Sequence, residues 1–297
     1  MLLNNEDNLK TISKLIINKT YPNSDSYKGW FEEYPLKFDK EDKEDFNFDF
    51  SKEKDITALI FLATIWNMPN YRWENAVGLV AVLYKKNLLD VGKWISQGFI
   101  ESLNKAELVL EMNNLGSNNC FLYENGRLFI KDGKYGIFQR LHIVAKEYDF
   151  LKETLQIDGI LKGNNPQLDY NIFPRFDNPR LMIEVKRKNN KIVKTPILRV
   201  KVPLILRELK CYNKIDISGE YCCVPDSKVK QMMKTIGYDP YLDSDTSSVI
   251  HNSKIIYKYF GLHYDLPLFD FSKKCSKKKN EECHNKDCAI FDYCAKL

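Results

Sequence analysis

At 297 residues, with 44% hydrophobic and 13% aromatic side chains, the chain can bury one full core or two intimately packed ones, which excludes a disordered tail or a peptide. Its formal charge of +5, from 45 basic against 40 acidic side chains, is compatible with nucleic acid without requiring it. The longest apolar run, Ile56 to Ala63, is far shorter than the roughly 20 residues of a membrane-spanning helix. The first residues also lack a secretory signal, so a cytoplasmic protein with no membrane partner is expected.

Residues 1–20 place Leu9, Ile12, Leu15 and Ile16 at helical spacing, and an aromatic, acidic connector follows from Tyr21 to about Ser51. Segments of helical length come next, over Asp55–Trp66, Glu74–Lys86 and Asp90–Leu103, separated by Met68-Pro69-Asn70 and by Asn87. Leu115 to Gly136 is rich in Gly and Asn, with a hairpin signal at Tyr123-Glu-Asn-Gly126. Ile137, Leu141, Val144, Tyr148 and Leu151 then predict one helix over Ile137–Leu155. Gly159 to Pro179, with three prolines, reads as irregular or extended. Helix resumes over Pro196–Tyr212, Asp226–Ile236 and Asp245–Phe260, the last two stopped by Gly237 and Gly261. The class expected is mainly α.

Acidic residues crowd Glu32 to Asp55, whereas Lys186, Arg187, Lys188, Lys191, Lys194, Arg199 and Lys201 gather positive charge in one short stretch. A solvated face is the plain reading of such a run. Four of the eight cysteines, Cys275, Cys283, Cys288 and Cys294, form a C-x7-C-x4-C-x5-C run. Four thiolates on short loops suit a soft tetrahedral site, zinc or iron–sulfur, and structural disulfides fit a reducing compartment poorly. Zinc sites usually use tight C-x2-C knuckles, and this run has none. A [4Fe–4S] cluster is therefore favoured, with zinc as the alternative. Cys120, Cys211, Cys222 and Cys223, scattered in apolar surroundings, read as buried reduced thiols. His284 reads as a surface or outer residue of the same loop.

The run from Cys283 to Cys294 resembles the C-terminal cluster loop of the endonuclease III branch of the helix-hairpin-helix DNA glycosylases. The final five-residue gap agrees, with its apolar pair and the Asp before the last cysteine, while the first two gaps are longer here. Val224-Pro-Asp-Ser-Lys-Val229 is similar to the segment that carries that superfamily's catalytic aspartate, which falls on Asp226; an ordinary helix N-cap is the alternative reading of the residue. Lys191 to Lys201 resembles the Lys-Thr-containing helix of the archaeal 8-oxoguanine glycosylases, and makes Lys194 the candidate nucleophile, with Lys201 and Lys186 as alternatives. Leu62 to Asn67, followed by Tyr71-Arg-Trp73, resembles the helix end from which an amide enters the DNA gap, with Asn67 in place of the usual Gln. Asn189-Asn190-Lys191 stands where the family's hairpin glycines would fall.

The resemblance implies a two-lobed helix-hairpin-helix glycosylase-like fold ending in an iron–sulfur loop. Residues 1–54 and 222–297 would form the terminal helical domain with the cluster, and 55–221 the central helical domain with a variant hairpin. It also implies a monomeric, nucleoid-associated repair enzyme acting on double-stranded DNA that contains a damaged base. Asn67, Lys188, Lys191 and Lys201 would contact DNA; a lysine amine would displace the base and form a Schiff base, assisted by Asp226. Two rivals stand beside it. Leu181 to Lys186 resembles the Glu-x-Lys strand of restriction-type nucleases, carried here by Glu184 and Lys186, with Glu184 and either Asp169 or Asp177 as the carboxylate pair that would hold Mg²⁺, although mainly helical surroundings are expected to lack the flanking strands. The other is a non-catalytic iron–sulfur DNA-binding protein.

Overall fold

Twelve consecutive positions, Asp55 to Trp66, are buried on every side of one helix, Glu53–Trp66. A helix apolar all round has to be enclosed by other elements, and it forms the axis of the larger of two compact units, Lys28–Asp216; the smaller unit combines Met1–Tyr27 with Ile217–Leu297. The computed structural model describes residues 6–30, 36, 48–66, 73–115, 136–186, 190–275 and 287–294. These residues are mainly helical, as the periodicity predicts. Among them no helix is long and apolar enough to cross a membrane.

In the larger unit the axial helix starts with Glu53 and Asp55 in its first turn, where acidic groups oppose the positive end of the helix dipole. Trp73–Lys85, Ile137–Lys146 and Val202–Cys211 pack around it. Trp94 stands between Phe61 and Phe138, each with its ring 5.6 Å away. Tyr148 and Thr57 share a hydroxyl hydrogen bond of 2.7 Å. A fully buried Glu208 accepts from the Trp30 N–H at 3.1 Å and from Arg207 Nε at 3.3 Å.

Several expected elements change here. The predicted helix over Asp90–Leu103 is two short ones, Val91–Trp94 and Gln97–Ser102. Trp94 turns inward and donates Nε1 to the Leu88 carbonyl at 2.6 Å, and the chain restarts from extended backbone at Ser96. The helix over Ile137–Leu155 breaks at Glu147 (φ −103°, ψ 17°), although Ile137, Leu141, Val144, Tyr148 and Leu151 are all buried as their spacing predicts. Lys105–Leu115, unpredicted, is a helix packed on Trp73–Lys85, where Lys86 reaches Glu107 at 2.7 Å and Glu111 at 3.6 Å. The Tyr123 hairpin signal lies outside the described residues.

The largest correction concerns the basic stretch. Met182–Lys186 (β1) and Ile192–Pro196 (β2) form an antiparallel pair with Glu184 opposite Lys194 and Val185 opposite Val193. Lys194 therefore sits on a strand and not on the helix that the resemblance implies. Ile192, Val193 and Thr195 are β-branched and favour a pleated strand; Asn190, at φ 61°, takes the left-handed backbone that Asn tolerates. A short 3₁₀ helix, Arg199–Lys201, leads into the α-helix at Val202, with Pro203 in its first turn, where a missing N–H is harmless. The expectation that Glu184 and Lys186 would lack a neighbouring strand is corrected by the same pairing.

In the smaller unit Glu6–Thr20, Ser227–Thr235, Thr246–Phe260 and Leu266–Lys274 pack together. Asp226 and Asp245 cap the second and third of these, and Gly237 and Gly261 follow with positive φ (93° and 53°), as a helix stop requires. Long-range bonds close the unit: Tyr21 Oη donates to Asp270 at 2.8 Å, and Tyr238 Oη to the Leu9 carbonyl at 3.0 Å. Leu266–Lys274, which the periodicity misses, begins on Pro267. Cys222 and Cys223 are buried as expected, whereas Cys211 is half-exposed and Cys120 lies outside the described residues.

Candidate functional site

Lys201 is 4% exposed and stands at the N-cap of Val202–Cys211. Its Nζ lies 3.5 Å above the centre of the Trp66 ring, close enough for a strong cation–π contact. Trp66 is itself held edge-on by Trp73, with centroids 4.5 Å apart. The end of one buried helix and the start of another thus hold an amine against aromatic faces, away from the bulk water that would otherwise solvate it.

Lys194 has a different setting. It is exposed on β2, opposite Glu184 and flanked by the exposed Ile192. Lys191 is exposed at the start of the same strand. These lysines are placed as solvated cations on a ribbon, a setting suited to phosphate contact. Lys186 pairs with Ile192 through its backbone; its side chain, Lys188 and Asn67 lie outside the described residues. Of the carboxylates proposed to join Glu184, Asp177 is bound to Arg199 at 3.0 Å and Asp169 accepts from the backbone and side chain of Asn171 at 2.8 and 3.0 Å.

Asp226 belongs to the smaller unit. Its Oδ1 accepts the Val229 N–H at 2.9 Å, the ordinary capping bond. The segment that delivers it is pinned from behind: the Cys223 N–H donates to Ser253 Oγ at 3.0 Å and the Val224 N–H to Asp265 Oδ1 at 2.8 Å, both acceptors buried. One turn on, buried Lys230 donates Nζ to the Leu242 and Asp243 carbonyls at 2.8 Å each and to Ser244 Oγ at 3.2 Å. Burial lowers the Lys230 ammonium from its ordinary value, and Asp243, Asp226 and Asp245 oppose that shift.

Cys275 follows the last turn of Leu266–Lys274, and Cys288 precedes the fully buried Ile290 and the short helix Phe291–Cys294. Both are reduced, partly exposed thiols, a state that suits thiolate donation to iron or zinc. Cys283 and the Cys294 side chain lie outside the described residues. Among the described residues no three His, Cys, Asp or Glu side chains converge as a metal site.

Arg140 escaped the sequence reading. It sits in the apolar stripe, three residues after Ile137 and four before Val144, and that position is the signal that marks it as buried.

Comparison of the chain with known protein families, with curated proteins and with solved structures finds no match.

Proposed function

We propose that the protein is a base-excision DNA glycosylase with lyase chemistry, built as a two-lobed helix-hairpin-helix-like enzyme, in which Lys201 is the candidate nucleophile and Asp226 is the candidate carboxylate carried over from the resemblance. The observation that carries this reading is the burial of the Lys201 side chain at a helix start. A solvated lysine is a poor nucleophile, and the exposed Lys194 is better suited to gripping the backbone.

In this mechanism the damaged nucleotide leaves the stack. Lys201 Nζ forms a bond to C1′ as the C1′–base bond breaks, and the base departs with the bonding pair and takes up a proton. A carboxylate would accept the proton released by the amine and offset positive charge on the sugar, the role that the resemblance assigns to Asp226. Ring opening gives the Schiff base, from which β-elimination expels the 3′ phosphate. Lys188, Lys191 and Lys194 hold phosphates, and Asn67 enters the gap. Cys275, Cys283, Cys288 and Cys294 would hold a [4Fe–4S] cluster, or zinc in its place, whose contribution is to tie down the basic loop around Lys277 to Lys279.

Borohydride trapping on duplexes carrying an abasic site or 8-oxoguanine tests the proposal. A covalent complex is expected in the wild type and in Lys194→Gln, and none in Lys201→Gln. No trapping and no base release across oxidised, deaminated and alkylated bases would overturn it.

One observation favours the nuclease reading, namely that Glu184 and Lys186 do lie on a paired strand. Cleavage of undamaged DNA that EDTA abolishes would select that reading.

A further inference from the structure

Three segments of the larger unit enclose a cavity of about 450 Å³: the start of Glu53–Trp66, the turn around Asn87 to Ile95, and the junction between Ile137–Lys146 and Tyr148–Leu155. The two helix breaks that the periodicity misses both line it. Ile95 stands in the gap between Val91–Trp94 and Gln97–Ser102, and Tyr148 and Asp149 follow the break at Glu147. Helices interrupted against their own periodicity are where function is to be sought, and the volume is that of a site for a small organic molecule.

The hydrogen bonds around the cavity select the kind of molecule. Thr57 Oγ1 donates to the Glu53 carbonyl at 3.0 Å, so in its 2.7 Å bond with Tyr148 the phenol is the donor. Burial holds the Tyr148 phenol above its ordinary value, with Thr57 opposing the shift; the group is a neutral hydroxyl whose oxygen is left only to accept. Asp90 uses Oδ1 for the Gly92 N–H at 2.9 Å, and the exposed Asp149 makes no hydrogen bond or ion pair among the described residues. The lysines of the cavity are engaged. Lys152 reaches Glu53 at 3.3 Å and Asp158 at 3.1 Å, and Lys54 lies 3.9 Å over the Tyr84 ring. The walls therefore offer acceptors and negative charge, beside the apolar side chains of Leu89, Val91, Ile95 and Ala145. Among the described residues the carboxylates do not converge as a metal site, so an organic cation that brings an apolar body is a better match than a bare metal ion.

We propose that this cavity binds a small organic ammonium ion, a primary amine on a short aliphatic chain, with Asp90 and Asp149 supplying the counter-charge and the apolar wall covering the chain. The site lies at the opposite end of Glu53–Trp66 from Lys201, which covers Trp66, and its ligand does not depend on the function proposed above.

The test uses the full-length protein with n-butylammonium chloride as the probe, against sodium chloride at the same ionic strength. Controls are n-butanol and sodium butyrate, which keep an alkyl chain and lack the cation. Binding is read from the melting temperature and from the Ile95 methyl resonances of isoleucine-labelled protein, assigned by their loss in Ile95→Val. Butylammonium is expected to raise the melting temperature saturably and to move the Ile95 signals, and neither control to do so. Asp149→Asn removes charge from an exposed side chain, and Asp90→Asn keeps an oxygen for the Gly92 N–H. Both are therefore expected to melt like the wild type without the amine, and each to bind it about tenfold more weakly, through loss of one charge-assisted hydrogen bond. Ile95 signals that stay in place, a response no greater than that to sodium chloride, or an equal response to butanol or butyrate overturns the proposal. Unchanged binding in the variant carrying both substitutions overturns it as well. Because the Ile95 signals are read on the otherwise unaltered chain, the outcome does not depend on how the aspartate variants fold.

Discussion

Replacing Asp226 by Asn and by Ala separates the two jobs open to this residue. Its Oδ1 takes the Val229 N–H at 2.9 Å from extended N-cap backbone at φ −69°, ψ 175°. An asparagine oxygen can repeat that bond and alanine cannot. Losing an N-cap acceptor costs about 1 kcal/mol, within roughly 0.5–2. Both variants also lose the carboxylate's attraction to the helix N-terminus, about 0.3–1 kcal/mol. Asp226→Ala should therefore be less stable by about 1–3 kcal/mol and Asp226→Asn by less than about 1. Urea unfolding followed by circular dichroism measures the difference, with an unchanged denaturant slope as the sign of an unaltered folded state. The enzymatic proposal adds an independent expectation. Asp226→Asn should lose base excision by about 10²–10⁴-fold, the range of a general acid–base contribution, while still binding the duplex. Full excision by Asp226→Asn would refute the catalytic role and leave the cap as the whole explanation, whereas equal destabilisation of the two variants would refute the cap.

Lys230→Met removes three bonds to the 242–244 loop and is expected to cost about 2–3 kcal/mol, with faster hydrogen exchange in that loop; unchanged exchange there would sink the idea of a clasp. Burial raises the Asp55 carboxyl above its ordinary value, while the Tyr84 hydroxyl, donating at 2.9 Å, works against that shift. The folded state then holds this proton more tightly than the unfolded chain, so the group's contribution to stability falls as pH rises from the ordinary carboxyl value through the raised one. Asp55→Asn keeps an acceptor for Tyr84 and cannot ionise, so its stability relative to wild type should grow across that window and then level off; a pH-independent difference would count against the assignment. Cys288→Ala should lose bound metal as measured by elemental analysis of the purified protein. Full iron or zinc content in that variant would remove Cys288 from the ligand set.

The sequence alone was enough for the helices whose burial repeats cleanly and whose ends carry their own chemistry. Glu53–Trp66 is apolar throughout, Asp226 and Asp245 each precede a helix that their side chains cap, and Gly237 and Gly261 stand where the chain takes positive φ. Each of these signals acts within a few residues, so no partner segment is needed to read it. The cysteine spacing is local in the same sense, and the proposed thiolate site rests on it alone.

What tertiary structure decided is where a residue's environment comes from distant chain. Lys194 and Lys201 are seven positions apart in one basic run. One is exposed because β2 pairs with β1, and the other is buried because Val202–Cys211 packs against the helix that ends in Trp66. Strand pairing needs a second strand, and here it stands where the resemblance implied a helix. Arg140 makes the same point. Its place in an apolar stripe tells that it is buried, but only the surrounding helices reveal that its Nε is enclosed without an acceptor among the described residues. Periodicity records which face turns inward; it carries no information about what that face meets there.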